Sequence, residues 1–181
     1  MTVYGMIAYG FEEIEAFSVV DILRRGDVET IMVSLKSDKI ILSSLNIPVV
    51  TDVTIEEIEI MPDDIIVLPG GKKGVQKLSE SKALLNLLVK HQEQQGLLAA
   101  ICAGPTVPGK MGFYNGIKAT CYPGCEGDLE GAIISKDDVV IDKNFITSQG
   151  PATSLAFAFA LLSLIKGETV SEKIQKGMLY K

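Results

Sequence analysis

The fold is decided by residues 97–105, which read LLAAICAGP. Five apolar residues in succession are typical of a strand that is buried on both faces of a parallel sheet. Cys102 follows these residues directly, and the Gly-Pro pair after Ala103 marks a change in chain direction. The segment therefore predicts a strand over Leu97–Ile101, a turn at Cys102 and a helix that starts at Ala103.

Outward from this segment, apolar strands alternate with amphipathic helices. The predicted strands are Val3–Ala8, Glu29–Leu35, Asp64–Leu68 and Asn144–Ser148, with shorter ones within residues 39–51, 118–121 and 131–141. The predicted helices are Glu13–Arg25, Ser81–Gln95, Pro151–Lys166 and Val170–Leu179, with a short one opened by a capping box at Thr54 and Glu57. This order predicts an α/β fold with a doubly wound, mostly parallel sheet sandwiched by helices, in one domain over residues 1–181.

Composition and charge narrow the classes of function. The 181 residues include 17 Lys and Arg against 23 Asp and Glu, a net charge of −6, which argues against nucleic acid or an anionic membrane as the partner. A single histidine, His91, excludes a zinc site that needs two. Three cysteines are too few for a disulfide scaffold, and the longest apolar stretch, residues 152–165, is too short to span a bilayer. We therefore expect a cytoplasmic protein without a membrane segment.

The carboxyl ends of parallel strands form one edge of a sheet, where ligands of doubly wound folds bind. Residues 10–15, 69–74 and 102–105 each follow a predicted strand and should meet there. A strand-to-helix turn would hold Cys102 in a strained, exposed pose, and the following helix N-terminus would lower its pKa. An inert buried cysteine fits the same spacing.

Other residues at this edge allow two interpretations each. Glu12, Glu13 and Glu15 fit the first turn of a helix through its dipole, but one of them could also face the thiol and carry protons. The Gly70-Gly71 turn offers free backbone N–H groups, although it lacks the spacing of a phosphate loop.

The remaining candidates for chemistry lie away from these loops or lack partners. His91 has mostly polar neighbours and is predicted to be solvated. Cys121 and Cys125 fall short of a zinc motif and are interpreted as free thiols.

Residues 10–15, 65–71, 78–81, 99–105 and 147–151 together resemble the ThiJ/PfpI superfamily, in particular its branch around the Parkinson-disease protein deglycase. The resemblance implies a flavodoxin-like fold, a homodimer and no metal or added cofactor. It also implies that Cys102 is the nucleophile and Glu15 its carboxylate partner. The oxyanion and substrate-binding groups would be the backbone N–H groups of Gly71 and Ala103, beside Gly70.

Two positions depart from the superfamily's patterns. Ala103 stands where the protease branch has a histidine after the cysteine, which argues against protease activity. Tyr122 stands where the deglycase branch has a histidine before a proline, so the usual acid/base histidine is missing. We interpret Tyr122 as a substitute hydroxyl donor.

Three functions remain as hypotheses. The first is a glyoxalase- or deglycase-type enzyme, in which Cys102 adds to the aldehyde of methylglyoxal or a related small carbonyl and Glu15 moves the protons. The second is a redox sensor or oxidative-stress-response protein with an oxidisable Cys102 and little catalysis. The third, a flavodoxin-like nucleotide binder, is disfavoured by the missing phosphate loop.

Overall fold

A seven-stranded sheet forms the centre of the computed structural model, which describes residues 1–180. The strands, numbered along the chain, are β1 Val3–Ile7, β2 Thr30–Ser34, β3 Ile40–Leu42, β4 Pro48–Val50, β5 Val53–Thr54, β6 Ile65–Leu68, β7 Leu97–Ile101, β8 Lys118–Ala119, β9 Ile133–Ile134, β10 Val139–Asp142 and β11 Phe145–Ser148. The order in the main sheet is β10-β11-β7-β6-β1-β2-β5, and only the β10–β11 pair is antiparallel. Two small pairs, β3–β4 and β8–β9, lie outside it.

Helices cover both faces of this sheet. They are α1 Glu13–Arg25, α2 Lys72–Glu80, α3 Lys82–Glu93, α4 Thr106–Lys110, α5 Ser154–Lys166 and α6 Glu168–Gly177. Buried residues of α2, α3 and α4 form one apolar core with the sheet, and buried residues of α1 and α5 form the other. The predicted doubly wound, mostly parallel α/β fold is confirmed. Across residues 1–180, every helix is too short or too polar to traverse a bilayer.

Strand β7 shows why the central strands are continuous apolar runs. Leu98 and Ala100 pack into the core beneath α2 and α3, whereas Ala99 and Ile101 pack into the core beneath α1 and α5. Because successive side chains point to opposite faces, a strand with helices on both sides needs apolar residues at every position. The strand prediction for residues 97–101 is confirmed residue by residue.

Two helix predictions need correction. Residues 103–105 form a turn, and the helix expected from Ala103 begins at Thr106. Helix α2 follows directly after Gly71, where only a glycine turn was predicted. Its sequence contains Gly74 and several lysines, so the helical pattern in the sequence is weak. In the structure, Val75 and Leu78 pack on the core and stabilise the helix.

The prediction that His91 is solvated is wrong, because the side chain is only 3% exposed. It lies on the buried face of α3 with Leu84 and Leu88, at helical spacings of seven and three residues. Its Nε2 is 3.1 Å from the carbonyl oxygen of Leu97, and its ring fills the space in which a side chain at Gly96 would have to sit. The polar neighbours in sequence occupy other faces of the helix.

The β3–β4 hairpin is fastened to the start of α1 by the buried carboxylate of Glu13. This carboxylate accepts hydrogen bonds from the hydroxyl of Ser43, from the hydroxyl of Ser44 at 2.7 Å and from the backbone N–H of Leu45 at 2.9 Å. Burial alone would raise the pKa of Glu13, but these hydrogen bonds outweigh it and lower that pKa to about 2. The loop that leads into α1 and the hairpin therefore form one unit.

Candidate active site

Cys102 occupies a strained turn at the carboxyl end of β7. Its φ of 63° lies in the left-handed region, which costs a residue with a Cβ roughly 1–3 kcal/mol. The backbone N–H of Cys102 donates to the carbonyl of Ser148 at 3.0 Å, and that of Gly104 donates to Ile101 at 2.9 Å. A side chain at Gly104 would meet the Leu68 carbonyl, so only glycine lets the turn pack against β6. The thiol borders a cleft although Cys102 is only 9% exposed.

The three glutamates after β1 occupy three different environments. Glu12 is the N-cap of α1 and accepts the backbone N–H of Glu15 at 2.8 Å, as the helix-start interpretation predicts. Glu13 faces the hairpin. Glu15 is fully buried, and its Oε2 accepts the backbone N–H of Gly70 at 2.6 Å while its Oε1 has no hydrogen-bond partner. The carboxyl also hydrogen-bonds the Cys102 thiol, so it can exchange a proton with the sulfur.

The glycine turn after β6 brings the carboxyl and the thiol together. A Cβ at Gly70 would lie 2.6 Å from Glu15 Oε2, 2.6 Å from Cys102 Cβ and 2.9 Å from Cys102 Sγ. Gly71 has a φ of 90°, and a side chain there would collide with the carbonyl of Gly10. Both positions therefore require glycine because other backbone or reactive atoms fill the space of a side chain.

Two backbone N–H groups point at the cysteine sulfur. They belong to Ala103, in the turn after β7, and to Gly71, before α2, and both stabilise negative charge on the sulfur. Donors fixed in this way, beside a thiol that is largely buried, are suited to stabilise an oxyanion that forms on an atom bonded to the sulfur. This placement is the one expected for the N–H groups of an oxyanion hole.

The ionisation of the thiol differs from the prediction. Burial raises the pKa of Glu15 to about 7. Burial, and after it the negative charge of Glu15, raise the pKa of Cys102 to about 12 and outweigh the two N–H groups, so the expected lowering is wrong. Between about pH 7 and about pH 12 the two groups together therefore hold one proton. The thiolate exists in that range when the proton resides on Glu15.

A cleft of about 860 Å³ opens above the thiol. Its lining residues are Glu12, Gly71, Lys72, Val75, Gln76, Ser79, Cys102, Ala103, Thr106, Lys110, Tyr122, Pro123, Gly124, Cys125, Asp128 and Pro151. Tyr122 lines it from the loop after β8, where its backbone N–H donates to the Cys102 carbonyl at 2.8 Å. Four of the six residues expected at the site, Gly71, Cys102, Ala103 and Tyr122, line this cleft. Glu15 and Gly70 do not line it but lie next to Cys102, and the roles of all six stay predictions.

The walls of this cleft contain residues that were not predicted from the sequence. One wall is a face of α2 that presents Lys72, Val75, Gln76 and Ser79, at the i, i+3, i+4 and i+7 spacing that a helix prediction could have used. The opposite wall includes Cys125 and an ion pair of 3.1 Å between Lys110 and Asp128. No sequence pattern connects those residues, because they come from α4 and from the loop after β8, which meet only in the fold.

Metal ligands and disulfides are not part of this arrangement. Among residues 1–180, no three or more side chains of the His, Cys, Asp or Glu type are grouped so that they could hold a metal ion. Cys102, Cys121 and Cys125 are all free thiols.

Cys102 thus lies in a strained turn at the end of a parallel strand, next to a buried glutamate and two backbone N–H donors. These features together define a class of α/β proteins whose reactive cysteine lies in the turn between a strand and a helix. Residues 1–164 match the DJ-1/PfpI family, and the chain belongs to that family. The resemblance found in the sequence is thereby confirmed.

Individual relatives agree with this assignment. Protein DJ-1 homolog B of Arabidopsis thaliana is 34% identical over 174 residues, which are 96% of this chain but only 40% of that protein. Glutathione-independent glyoxalase DJR-1.2 of Caenorhabditis elegans is 32% identical over 169 residues, with 92% and 89% of the two chains covered. The solved structure of oxidized Toxoplasma gondii DJ-1 has a TM-score of 0.93 at 31% identity and covers 99% and 98% of the chains. The family thus includes a protein named for glyoxalase activity.

Proposed function

We propose that the protein is a cysteine-dependent glyoxalase-type enzyme that acts on methylglyoxal or related reactive carbonyls without a metal or added cofactor. One observation carries the proposal: Cys102 sits in a strained turn between the buried carboxyl of Glu15 and the N–H groups of Gly71 and Ala103, at the base of a cleft. The glyoxalase relative, which matches over most of both chains, supports the choice of substrate class.

The first step is addition of sulfur to the aldehyde. Glu15, which hydrogen-bonds the Cys102 thiol, accepts the thiol proton, and the thiolate forms a bond to the aldehyde carbon. The aldehyde oxygen gains the electron pair of the broken C=O π bond and is stabilised by the N–H groups of Gly71 and Ala103. Glu15 then returns the proton to that oxygen, which completes a hemithioacetal.

Isomerisation and hydrolysis complete the reaction. Glu15 removes the proton from the former aldehyde carbon while the ketone oxygen takes up a proton, which gives an enediol. Glu15 then delivers its proton to the neighbouring carbon, and the hydroxyl on the sulfur-bearing carbon gives up its own proton to become the thioester carbonyl. The hemithioacetal has thereby become a thioester of lactate. Water then attacks the thioester carbonyl, lactate leaves and the thiol is restored. The sum is methylglyoxal plus water giving lactate. Tyr122, on the cleft wall, would hold the ketone oxygen through its hydroxyl in the place of the missing histidine.

The test is lactate formation from methylglyoxal. Cys102→Ser and Glu15→Gln should each lower kcat/KM by roughly 100-fold or more, because nucleophile and proton carrier are lost. Cys121→Ser is the matched control, since it removes a buried thiol outside the cleft and should keep the wild-type rate. Activity retained in Cys102→Ser would contradict the proposal.

A second pair of variants tests the role of Tyr122. Tyr122→Phe should lower the rate by removing the hydroxyl. Tyr122→His should raise it by roughly tenfold or more if the missing acid/base group limits turnover. Wild-type rates in both variants would show that this position takes no part in the reaction.

We also propose that the working form is a homodimer. Its support is an exposed apolar surface formed by the start of α1 and the β3–β4 hairpin, comprising Ile14, Phe17, Ile40, Leu42, Leu45, Ile47 and Val50. Glu13 holds these two elements together, so the surface is continuous and preformed. Contiguous apolar patches of this kind mark association sites, and a second copy offers a self-complementary partner.

A redox sensor or oxidative-stress-response protein is the second candidate function. It is favoured by the thiol at the base of the cleft and by the Glu15 carboxyl, which hydrogen-bonds that thiol and can bond to an oxygen placed on the sulfur. The related Toxoplasma gondii structure is described as oxidized. Mass spectrometry after mild peroxide treatment tests this: oxygen gain should be selective for Cys102, and uniform or absent gain would contradict it.

A further inference from the structure

A second thiol, Cys125, borders the same cleft as Cys102. It lies in the segment 122–125. The first residue of this segment is bonded to the nucleophile's backbone, because the Tyr122 N–H donates to the Cys102 carbonyl at 2.8 Å. The segment then folds back, since the N–H of Cys125 donates to the Tyr122 carbonyl at 3.0 Å. Two thiols that are 23 positions apart in the chain thereby line one cleft, with Cys102 at its base.

Few contacts hold this segment in place. Tyr122, Pro123 and Gly124 are exposed, and Cys125 is half-buried. Gly124 has a φ of 95°, and nothing lies within 4 Å of where its side chain would be. Its N–H bonds to the side chain of the neighbouring Glu126 rather than to another element. Cys125 is the residue of the segment that packs against the core beneath α2 and α3, so a shift of the turn into the cleft gives up this contact but leaves the fully buried core residues in place.

Cys121 differs from Cys125 in these respects. It is 4% exposed, packs in the apolar core beneath α2 and α3, and does not line the cleft. Burial raises its pKa to about 12. Burial, and after it the charges of Asp128 and Glu126, also raise the pKa of Cys125, whereas Lys110 lowers it. The two thiols therefore differ in access to the cleft and not in the direction of their pKa shifts. Of the two further thiols, Cys125 is the one that has access to Cys102.

We propose that Cys125 is a resolving thiol, which converts a sulfenic acid on Cys102 into an intramolecular disulfide. The proposal rests on the oxidation of Cys102 considered as the second function. A peroxide first oxidises the Cys102 sulfur: its O–O bond breaks, one oxygen becomes the sulfenic acid and the other leaves as water. The Cys125 sulfur then attacks the Cys102 sulfur, the S–O bond breaks, and hydroxide leaves with the Cys125 proton as water.

The consequence is protection of the active cysteine. A sulfenic acid that meets no thiol reacts with a second peroxide to a sulfinic acid, which thiols do not reduce. The disulfide is instead returned to two thiols by an added dithiol, through thiol–disulfide exchange. A protein exposed to reactive carbonyls and peroxides would thereby regain Cys102 after oxidation.

The test is intact-mass analysis and non-reducing peptide mapping after treatment with two equivalents of hydrogen peroxide. The wild-type protein should lose about 2 Da, carry a Cys102–Cys125 link and recover its mass in dithiothreitol. Cys125→Ser should instead gain about 32 Da at Cys102 and not recover. Cys121→Ser is the matched control and should behave as wild type.

Three outcomes would overturn the proposal, and they are distinguishable. An equal gain of about 32 Da at Cys102 in wild type and Cys125→Ser would leave the sensor function standing but remove the resolving role. A link between Cys121 and Cys125 would show that the wrong pair had been assigned. Absence of any change at Cys102 in all three proteins would remove the oxidation step itself, while the lactate assay still decides the enzyme proposal.

Discussion

At the scale of single residues, the function depends on where one proton resides. Glu15 Oε2 is fixed by Gly70, whereas Oε1 is unpartnered, and both groups of the Glu15–Cys102 pair have raised pKa values. Below about pH 7 both are protonated and the sulfur is a weak nucleophile; above it the pair holds one proton and the thiolate can form. Glu15 thus permits nucleophilic attack near neutral pH although it does not lower the thiol's pKa.

We therefore predict that the reactivity of Cys102 depends on pH and that the ionisation of Glu15 sets this dependence. Alkylation of Cys102 by iodoacetamide, followed by peptide mapping, should accelerate as the pH rises through about 7. In Glu15→Gln this inflection should disappear, because the amide cannot accept the thiol proton. Glu12→Gln is the control: it removes a neighbouring carboxylate but keeps an N-cap acceptor, so the inflection should persist. An unchanged profile in Glu15→Gln would refute proton sharing.

The sequence could predict the members of this site but not its ionisation. Cys102, Glu15 and the glycine turn all follow predicted strands, and parallel strand ends share an edge. The direction of the Cys102 pKa depends on burial beneath the cleft and on contact with Glu15, which is 87 positions away. His91 shows the same limit, because its local polar neighbours concealed a buried helix face. Local patterns describe elements well, whereas solvation is set by the whole fold.

At the scale of elements, the hairpin and α1 act as one body through Glu13. Helix α1 carries Glu15, two residues beyond the carboxylate that Ser44 and Leu45 bond. The apolar surface on these same elements thus lies on the structure that positions the proton carrier. The sequence predicted short strands within residues 39–51 and, separately, α1, and it contained no signal for their attachment, which uses short polar side chains in a turn.

This arrangement predicts which apolar residues drive association. Leu45→Glu should shift the molar mass measured by light scattering from dimer towards monomer, because a two-fold interface would contain the new charge twice. Leu179→Glu is a matched control, since Leu45 is 77% and Leu179 is 84% exposed but Leu179 lies beyond α6, away from the hairpin. A monomeric wild-type protein at micromolar concentration, or equal effects of both variants, would contradict the homodimer.

At the scale of the whole molecule, two buried groups oppose each other in the pH dependence of stability. The folded-state pKa of Glu15 is raised, so its stabilising contribution is complete below about 4.5 and is lost as the pH rises to about 7. The folded-state pKa of His91 is lowered, mainly by burial, so its contribution is present above 6.5 and is lost as the pH falls below that value. The wild-type curve combines the two, and its shape alone cannot identify either.

Separate variants should resolve them in denaturant unfolding at pH 5, 6, 7 and 8. Glu15→Gln, which imitates the neutral carboxyl, should be up to about 3 kcal/mol more stable than wild type at pH 8, with a difference that shrinks towards pH 5. His91→Gln should change relative to wild type in the opposite direction, gaining stability as the pH falls, because glutamine cannot be protonated inside the core. Glu130→Gln, at an exposed position, serves as the control for loss of one carboxylate. Parallel curves for wild type and Glu15→Gln would show that ionisation of the buried Glu15 carboxyl does not destabilise the folded protein. The expected divergence would mean that the group proposed to move the proton destabilises the fold at the pH where it works.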